Sequence, residues 1–293
     1  MEVGKTQDKL NPVEGFFDVS DDVYFGSKGL SNSAMGKILK SAAHFMVEPP
    51  QSPAMAFGSL VHCSVLEPTE LEKRFVRLPK IDRRTKAGKE AFKHFEEEHS
   101  DKILVKPEDW DLCLRITQKV YAHPIASTLL NGMTHPELAS WKTINGVLCK
   151  AKADGWAPDF MLDLKTTKNS SEAFGGFLRS VYDFGYHRQA AHYLEMFYDD
   201  FEDKPFFFIA AEKEPPYNIN VFELDREYVE VGRKQRDKAI RIYKEHFVDG
   251  KPKKDKHLGY QPQIHKIFTP AWMTRMSEDL EQETEDTFDV ESW

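Results

Sequence analysis

Between residues 137 and 167 the chain reads as three strands joined by two turn signals, a pattern that few folds accommodate. The runs 138–144 and 147–153 flank Asn145-Gly146, a dipeptide suited to the type I′ turn of a two-residue hairpin. A second turn-rich stretch, Asp154-Gly155-Trp156-Ala157-Pro158-Asp159, folds the chain back into a third strand over 160–166. A three-stranded antiparallel meander is therefore expected. Side chains alternate across a strand, so Asp163 and Lys165 share one face while Leu162 and Leu164 point to the core. Asp154 is expected to end the neighbouring strand, close to Asp163.

Two carboxylates and an amine on one face of a hairpin can hold a divalent ion and manage a water molecule, the outline of metal-dependent phosphodiester chemistry. By itself an Asp-x-Lys strand face is as readily a solvated row of charges. Other candidates must therefore come from the rest of the chain. His62 sits in Ala54 to Leu66, a run that reads as a mostly buried helix ended by Pro68. An isolated histidine there is ordinarily a hydrogen-bonded core residue; beside the carboxylates it would be a metal ligand or phosphate donor. Glu137, opening the meander after Pro136, is either a further ligand or a surface acid. Gln189 and Tyr193, four apart, stack on one face of a helix expected over 186–198, which amphipathic packing alone would also explain.

Around these lie further elements. Ser31 reads as the N-cap of a short helix carrying Met35, Ile38 and Leu39. Helices are expected over 90–99, 107–123, 171–185 and 226–247, and strands over 206–211 and 218–224. Residues 1–29 read as a loosely packed arm, 30–268 as the main domain, and 269–293 as an acidic, disordered tail. The tail holds eight acids and no Lys or Arg from Ser277 to Trp293, which leaves 40 acids against 40 bases in residues 1–276. The net charge of −8 is therefore weak testimony against nucleic acid, and binding would rest on a local basic face. Residues 79–89 offer one, with five bases against one acid: either a solvated loop or a phosphate clamp, for which Arg83, Arg84, Lys86 and Lys89 are the candidates.

Three scattered cysteines without a C-x-x-C pair exclude a zinc ribbon or a four-cysteine iron–sulfur cluster within one chain. No run of about 18 apolar residues spans a membrane, and Met1-Glu2-Val3-Gly4-Lys5 lacks an apolar signal core, so a cytoplasmic location is expected.

Taken in order, Gly58-Ser59-x-x-His62, Asp82-Arg83-Arg84-Thr85-Lys86-x-Gly88-Lys89, Glu137, Lys152-Ala153-Asp154, Asp163-Leu164-Lys165-Thr166-Thr167 and Gln189-x-x-x-Tyr193 form one ordered set. This set resembles the RecE-type exonuclease domain (exodeoxyribonuclease VIII), a branch of the PD-(D/E)XK nucleases related more distantly to lambda exonuclease and the RecB nuclease domain. The resemblance covers roughly residues 28–250. It implies an α/β (α+β) fold, a central mixed sheet with an antiparallel meander flanked by helices. It further implies that His62, Asp154 and Asp163 are metal-site residues, that Lys165 handles the nucleophile, and that Gln189 and Tyr193 flank the site. The second acid of the motif is Asp163 where the commonest form has Glu. Asp154, Asp163 and the Leu164 carbonyl are hard oxygen ligands suited to Mg²⁺ or Mn²⁺.

The activity implied is digestion of the 5′ strand of linear duplex DNA, leaving a 3′ overhang for a single-strand annealing protein, by a ring-like oligomer. Competing readings are an endonuclease of the same fold, a catalytically silent DNA-binding scaffold, and a subunit active only within a complex. The acidic tail would dock a partner, repel stray DNA or simply aid solubility.

Overall fold

Seven strands form one sheet and stand in it in their sequence order: β1 (Val3–Gly4), β2 (Gly15–Phe17), β3 (His135–Ile144), β4 (Val147–Trp156), β5 (Met161–Thr167), β6 (Phe206–Glu212) and β7 (Ile219–Glu223). The computed structural model describes residues 1–48, 50, 52–172, 175–264, 266–269 and 273–275. The expected meander is β3–β4–β5, antiparallel throughout and turned at Asn145 and Gly146, whose φ values of 50° and 75° suit a type I′ turn. Two pairs, β1 with β2 and β5 with β6, are parallel, so the sheet is mixed. A parallel neighbour requires a crossover, and the chain between β5 and β6 supplies one in helices α5 (Phe177–Phe184) and α6 (Tyr186–Phe197).

Helices cover both faces. On one, α1 (Asn32–Lys40), α6 and α7 (Arg226–His246) pack Met35, Ile38, Ala190, Leu194, Ala239 and Ile240 into a core with Cys149, Ala151, Met161 and Phe208 of the sheet. On the other, α2 (Pro53–Leu66) and α4 (Pro107–Ala122) set Leu60, Val61, Ile116 and Val120 against Leu162, Leu164 and Ile209. Burial on both faces explains why β6 begins with a continuous apolar run, Phe206 to Ala211, in place of an alternating one. The helix α3 (Lys86–Glu98) differs: capped by Thr85, it buries none of its residues.

Several boundaries depart from the sequence expectation, β3 among them, which starts at His135 and not at Leu138. β4 runs on to Trp156 because Gly155 and Trp156 pair with Leu162 and Met161, which confines the turn to residues 157–160. The helix expected over 90–99 starts at Lys86, since the Thr85 hydroxyl accepts from the Gly88 N–H. The one expected over 171–185 starts only at Phe177, with Gly176 at its N-cap. Residues 1–29, expected as a loose arm, supply β1, β2 and a short helix at Asp21–Gly26. Phe17, Val19 and Tyr24 there pack around Ala139 and Trp141, giving this stretch an apolar core of its own.

Among the described residues, those up to Gly259 form one compact unit and those from Tyr260 on belong to a second. In the second, the Lys266 ammonium lies over the Phe268 ring at 5.4 Å; the acidic run 277–293 lies outside the described residues. Among the described residues, no helix is long and apolar enough to cross a membrane.

Candidate active site

The ladder between β4 and β5 stops at the Gly155–Leu162 pair, and beyond it the strands part. A parting ladder leaves backbone donors to be satisfied. Asp154 meets that demand: its Oδ2 accepts the Leu164 N–H at 2.8 Å. The carboxylate is thereby fixed at the fork between two strands. Glu137 of β3 stands across from Asp154, between the Pro136–Gly155 and Leu138–Ala153 pairs of the ladder. Its φ of 50° is unusual for a side-chain-bearing residue.

α2 completes the corner. His62 projects from it so that Nδ1 lies 3.3 Å from Asp154 Oδ2. One ligand atom from each of His62, Glu137 and Asp154 lies within 4.8 Å of the others, a spacing and donor set that fit a divalent cation. Burial, with Asp163 adding repulsion, pushes the Asp154 carboxyl up to about 7, while His62 and Lys165 pull the other way. A carboxylate so destabilised as an anion gains from a cation beside it.

Asp163 has different neighbours. It is fully buried; its Oδ1 is ion-paired with Lys165 Nζ and its Oδ2 accepts from the Gln189 amide of α6. Tyr193 lies one turn along α6, and burial holds its hydroxyl well above the usual phenol range. Lys165 lies over the Tyr186 ring at 4.8 Å. Burial disfavours its charge, but Asp163 and Asp154 outweigh that and hold the ammonium protonated well above the usual lysine range. Lys165 is thus a fixed cation beside the carboxylates, fit to orient a water and stabilise its anion.

Of the sequence candidates, the structure brings His62, Glu137 and Asp154 together as one cluster, and Asp163, Lys165 and Gln189 as an adjoining bonded set, with Tyr193 one turn along α6 from Gln189. Leu164 joins them through its N–H. Arg83, Arg84, Lys86 and Lys89 lie elsewhere, all exposed: the two arginines just before α3, the two lysines in its first turn. Arg84 pairs with Asp82 at 2.9 Å and the Arg83 guanidinium covers the Phe92 ring at 3.8 Å. Among the described residues, none of the four pairs with an acid of the site.

The sequence reading quotes Lys152 in its ordered motif set without giving it a role, and leaves Tyr186 out of the site. Lys152 Nζ lies 2.8 Å from Glu137 Oε2 and 2.6 Å from Asp21 Oδ1. Its position two before Asp154 was the available signal, because residues i and i+2 of a strand share a face. Nothing local marks Tyr186, which opens α6 directly after Gly185.

Residues 31–253 match a family model described as a PDDEXK-like domain of unknown function (DUF3799). No curated protein matches the chain. Among solved structures, a protein from Eubacterium rectale described as a "Putative exonuclease" superposes with a TM-score of 0.51 at 17% identity, covering 75% of this chain and 83% of that one. A second, SSO0001, covers 63% of this chain and 86% of its own at 14% identity, but its TM-score of 0.26 carries no argument. The E. rectale likeness supports the fold alone.

Proposed function

Because the chain belongs to the PDDEXK-like domain family DUF3799, within the PD-(D/E)XK nuclease superfamily, we propose that it is a divalent-metal-dependent exonuclease acting on linear duplex DNA. It removes the 5′ strand and leaves a 3′ overhang for a single-strand annealing protein. The observation that carries the hydrolytic part is the meeting of Asp163 and Lys165 of β5 with Asp154, Glu137 and His62 at the fork. End dependence, strand polarity, a ring-like assembly and the annealing partner rest on the resemblance of the ordered motifs to RecE-type exonucleases.

His62, Glu137 and Asp154 would hold the ion, Mg²⁺ or Mn²⁺, with Asp163 and the Leu164 carbonyl at the adjoining position. When bound, such an ion supplies charge neutralisation at the phosphoryl oxygens and makes water more acidic. The chain's own residues do the rest. Asp154, held by the Leu164 N–H, keeps its carboxylate turned into the fork. Lys165, anchored by Asp163, orients the attacking water and favours its deprotonated form. Gln189 restrains Asp163 from the α6 side so that the pair does not turn away. The segment with Arg83, Arg84, Lys86 and Lys89 would contact the DNA backbone.

The deciding experiment is digestion with Mg²⁺ of linear duplex DNA labelled separately at the 5′ and 3′ ends, beside a closed circular duplex. Early loss of the 5′ label with an intact circle is expected. A nicked or cut circle would make the protein an endonuclease, and no digestion with any divalent metal would leave a DNA-binding scaffold.

A further inference from the structure

From Glu67, which follows α2, to the cluster runs a row of five charged side chains in alternating sign. Glu67 Oε2 lies 3.0 Å from Arg74 Nη1, and Arg74 Nη2 lies 2.5 Å from Asp21 Oδ2. Asp21 Oδ1 lies 2.6 Å from Lys152 Nζ, which lies 2.8 Å from Glu137 Oε2. The Lys152 side chain is only 10% exposed and that of Glu137 18%, so this pair is poorly screened by solvent, whereas Asp21 is 37% exposed. Three acids and two bases leave one negative charge over, and the row ends at Glu137, inside the cluster.

We propose that Asp21 is a positioning residue for the divalent-ion site, acting through Lys152 on Glu137. The inference rests on the metal-site reading above. Asp21 lies outside residues 31–253, the stretch matched by the family model, and belongs to the short helix Asp21–Gly26 capped by Ser20. Its carboxylate engages one side of the Lys152 ammonium, so that cation is shared between two anions. Glu137 then keeps part of its charge for an incoming ion while its carboxylate stays tethered. Without Asp21, Lys152 and Glu137 would neutralise each other and the cluster would lose one negative charge. The tether also acts where the backbone needs support, since Glu137 has a φ of 50°. The N-terminal segment is in this way a working part of the site as well as of the sheet.

The test is Mn²⁺ binding to the full chain without DNA, read from free Mn²⁺ by electron paramagnetic resonance, with a thermal melt of each metal-free variant. Asp21→Asn keeps the size of the side chain and removes its charge; it should bind Mn²⁺ roughly tenfold more weakly. Asp21→Glu, which restores the charge, should stay within about threefold of the unmodified protein. In a Glu137→Gln background, Asp21→Asn should change affinity by less than about twofold, because the route through Glu137 is already cut. Unchanged affinity in Asp21→Asn, or full additivity with Glu137→Gln, would overturn the inference while leaving the metal site standing. Absence of Mn²⁺ binding in the unmodified protein would instead defeat the metal-site reading, and this inference with it. A lower melting temperature with unchanged affinity would make Asp21 a structural residue only.

Discussion

In the proposed reaction, cleavage should depend most on Asp163 and Lys165. They are buried against each other, and α6 restrains Asp163 through Gln189. Asp163→Ala or Lys165→Ala should lower DNA cleavage by on the order of a thousandfold or more while circular dichroism shows a folded protein. Normal cleavage by a folded Asp163→Ala variant would remove the site assignment. Asp154 adds a pH dependence. Its carboxyl is raised from the usual 3.8 to about 7, chiefly by burial. Divalent-ion affinity should therefore climb by up to about tenfold per pH unit toward pH 7 and level off above it, as titration at pH 5.5, 6.5 and 8 would reveal. Between about pH 4 and 7 the metal-free folded protein keeps a proton that the unfolded chain has lost. Asp154 thus makes metal-free stability fall as pH rises through that window, with a constant penalty above it.

Among the elements, α6 decides whether the site holds its shape, and α7 holds α6. Gly232 of α7 approaches so closely that a Cβ there would lie 2.0 Å from the His187 carbonyl oxygen of α6. No side chain can occupy that space, and the obstacle is rigid backbone. Gly232→Ala should force the helices apart and cost about 1–3 kcal/mol or more in urea denaturation. It should also loosen Gln189, two residues from that contact. The cap of α1 is the milder case. The Ser31 hydroxyl accepts from the Ala34 N–H at 3.3 Å, and Ser31→Ala should cost about 1 kcal/mol by the same measurement.

At the scale of the whole molecule, charge is unevenly spread. The chain carries −8, yet the segment entering α3 is basic and exposed, with α3 burying none of its residues. Such a projection suits a phosphate backbone better than a packed core does. Reversing two of its charges, Arg83→Glu with Lys86→Glu, should weaken duplex binding and reduce the slope of log affinity against log salt by about 2. Unchanged binding would remove this segment from the DNA interface. Deleting the acidic run 277–293 tests whether it docks a partner, read by pull-down with a single-strand annealing protein. Retained capture would reject docking.

Much of the architecture was legible along the chain because its causes are local. Asn145-Gly146 turns a hairpin wherever it stands, Ser31 caps the helix that follows it, and a two-residue period puts Asp163 and Lys165 on one face. Helices at 54–66, 107–123 and 186–198 announced themselves by apolar spacing and proline boundaries, to within a residue or two. The extent of α5 and the start of α3 were not legible, because Gly176 and Thr85 cap helices within stretches that composition alone does not divide. What only the tertiary structure decided is how distant residues meet. The parting of β4 and β5 turns Asp154 onto the Leu164 N–H, and sheet register sets Glu137 opposite Asp154. Packing of the first 29 residues brings Asp21 to Lys152, 131 positions away. Spacing along one strand is fixed by backbone geometry, whereas those meetings depend on register and packing between segments, which no local pattern encodes.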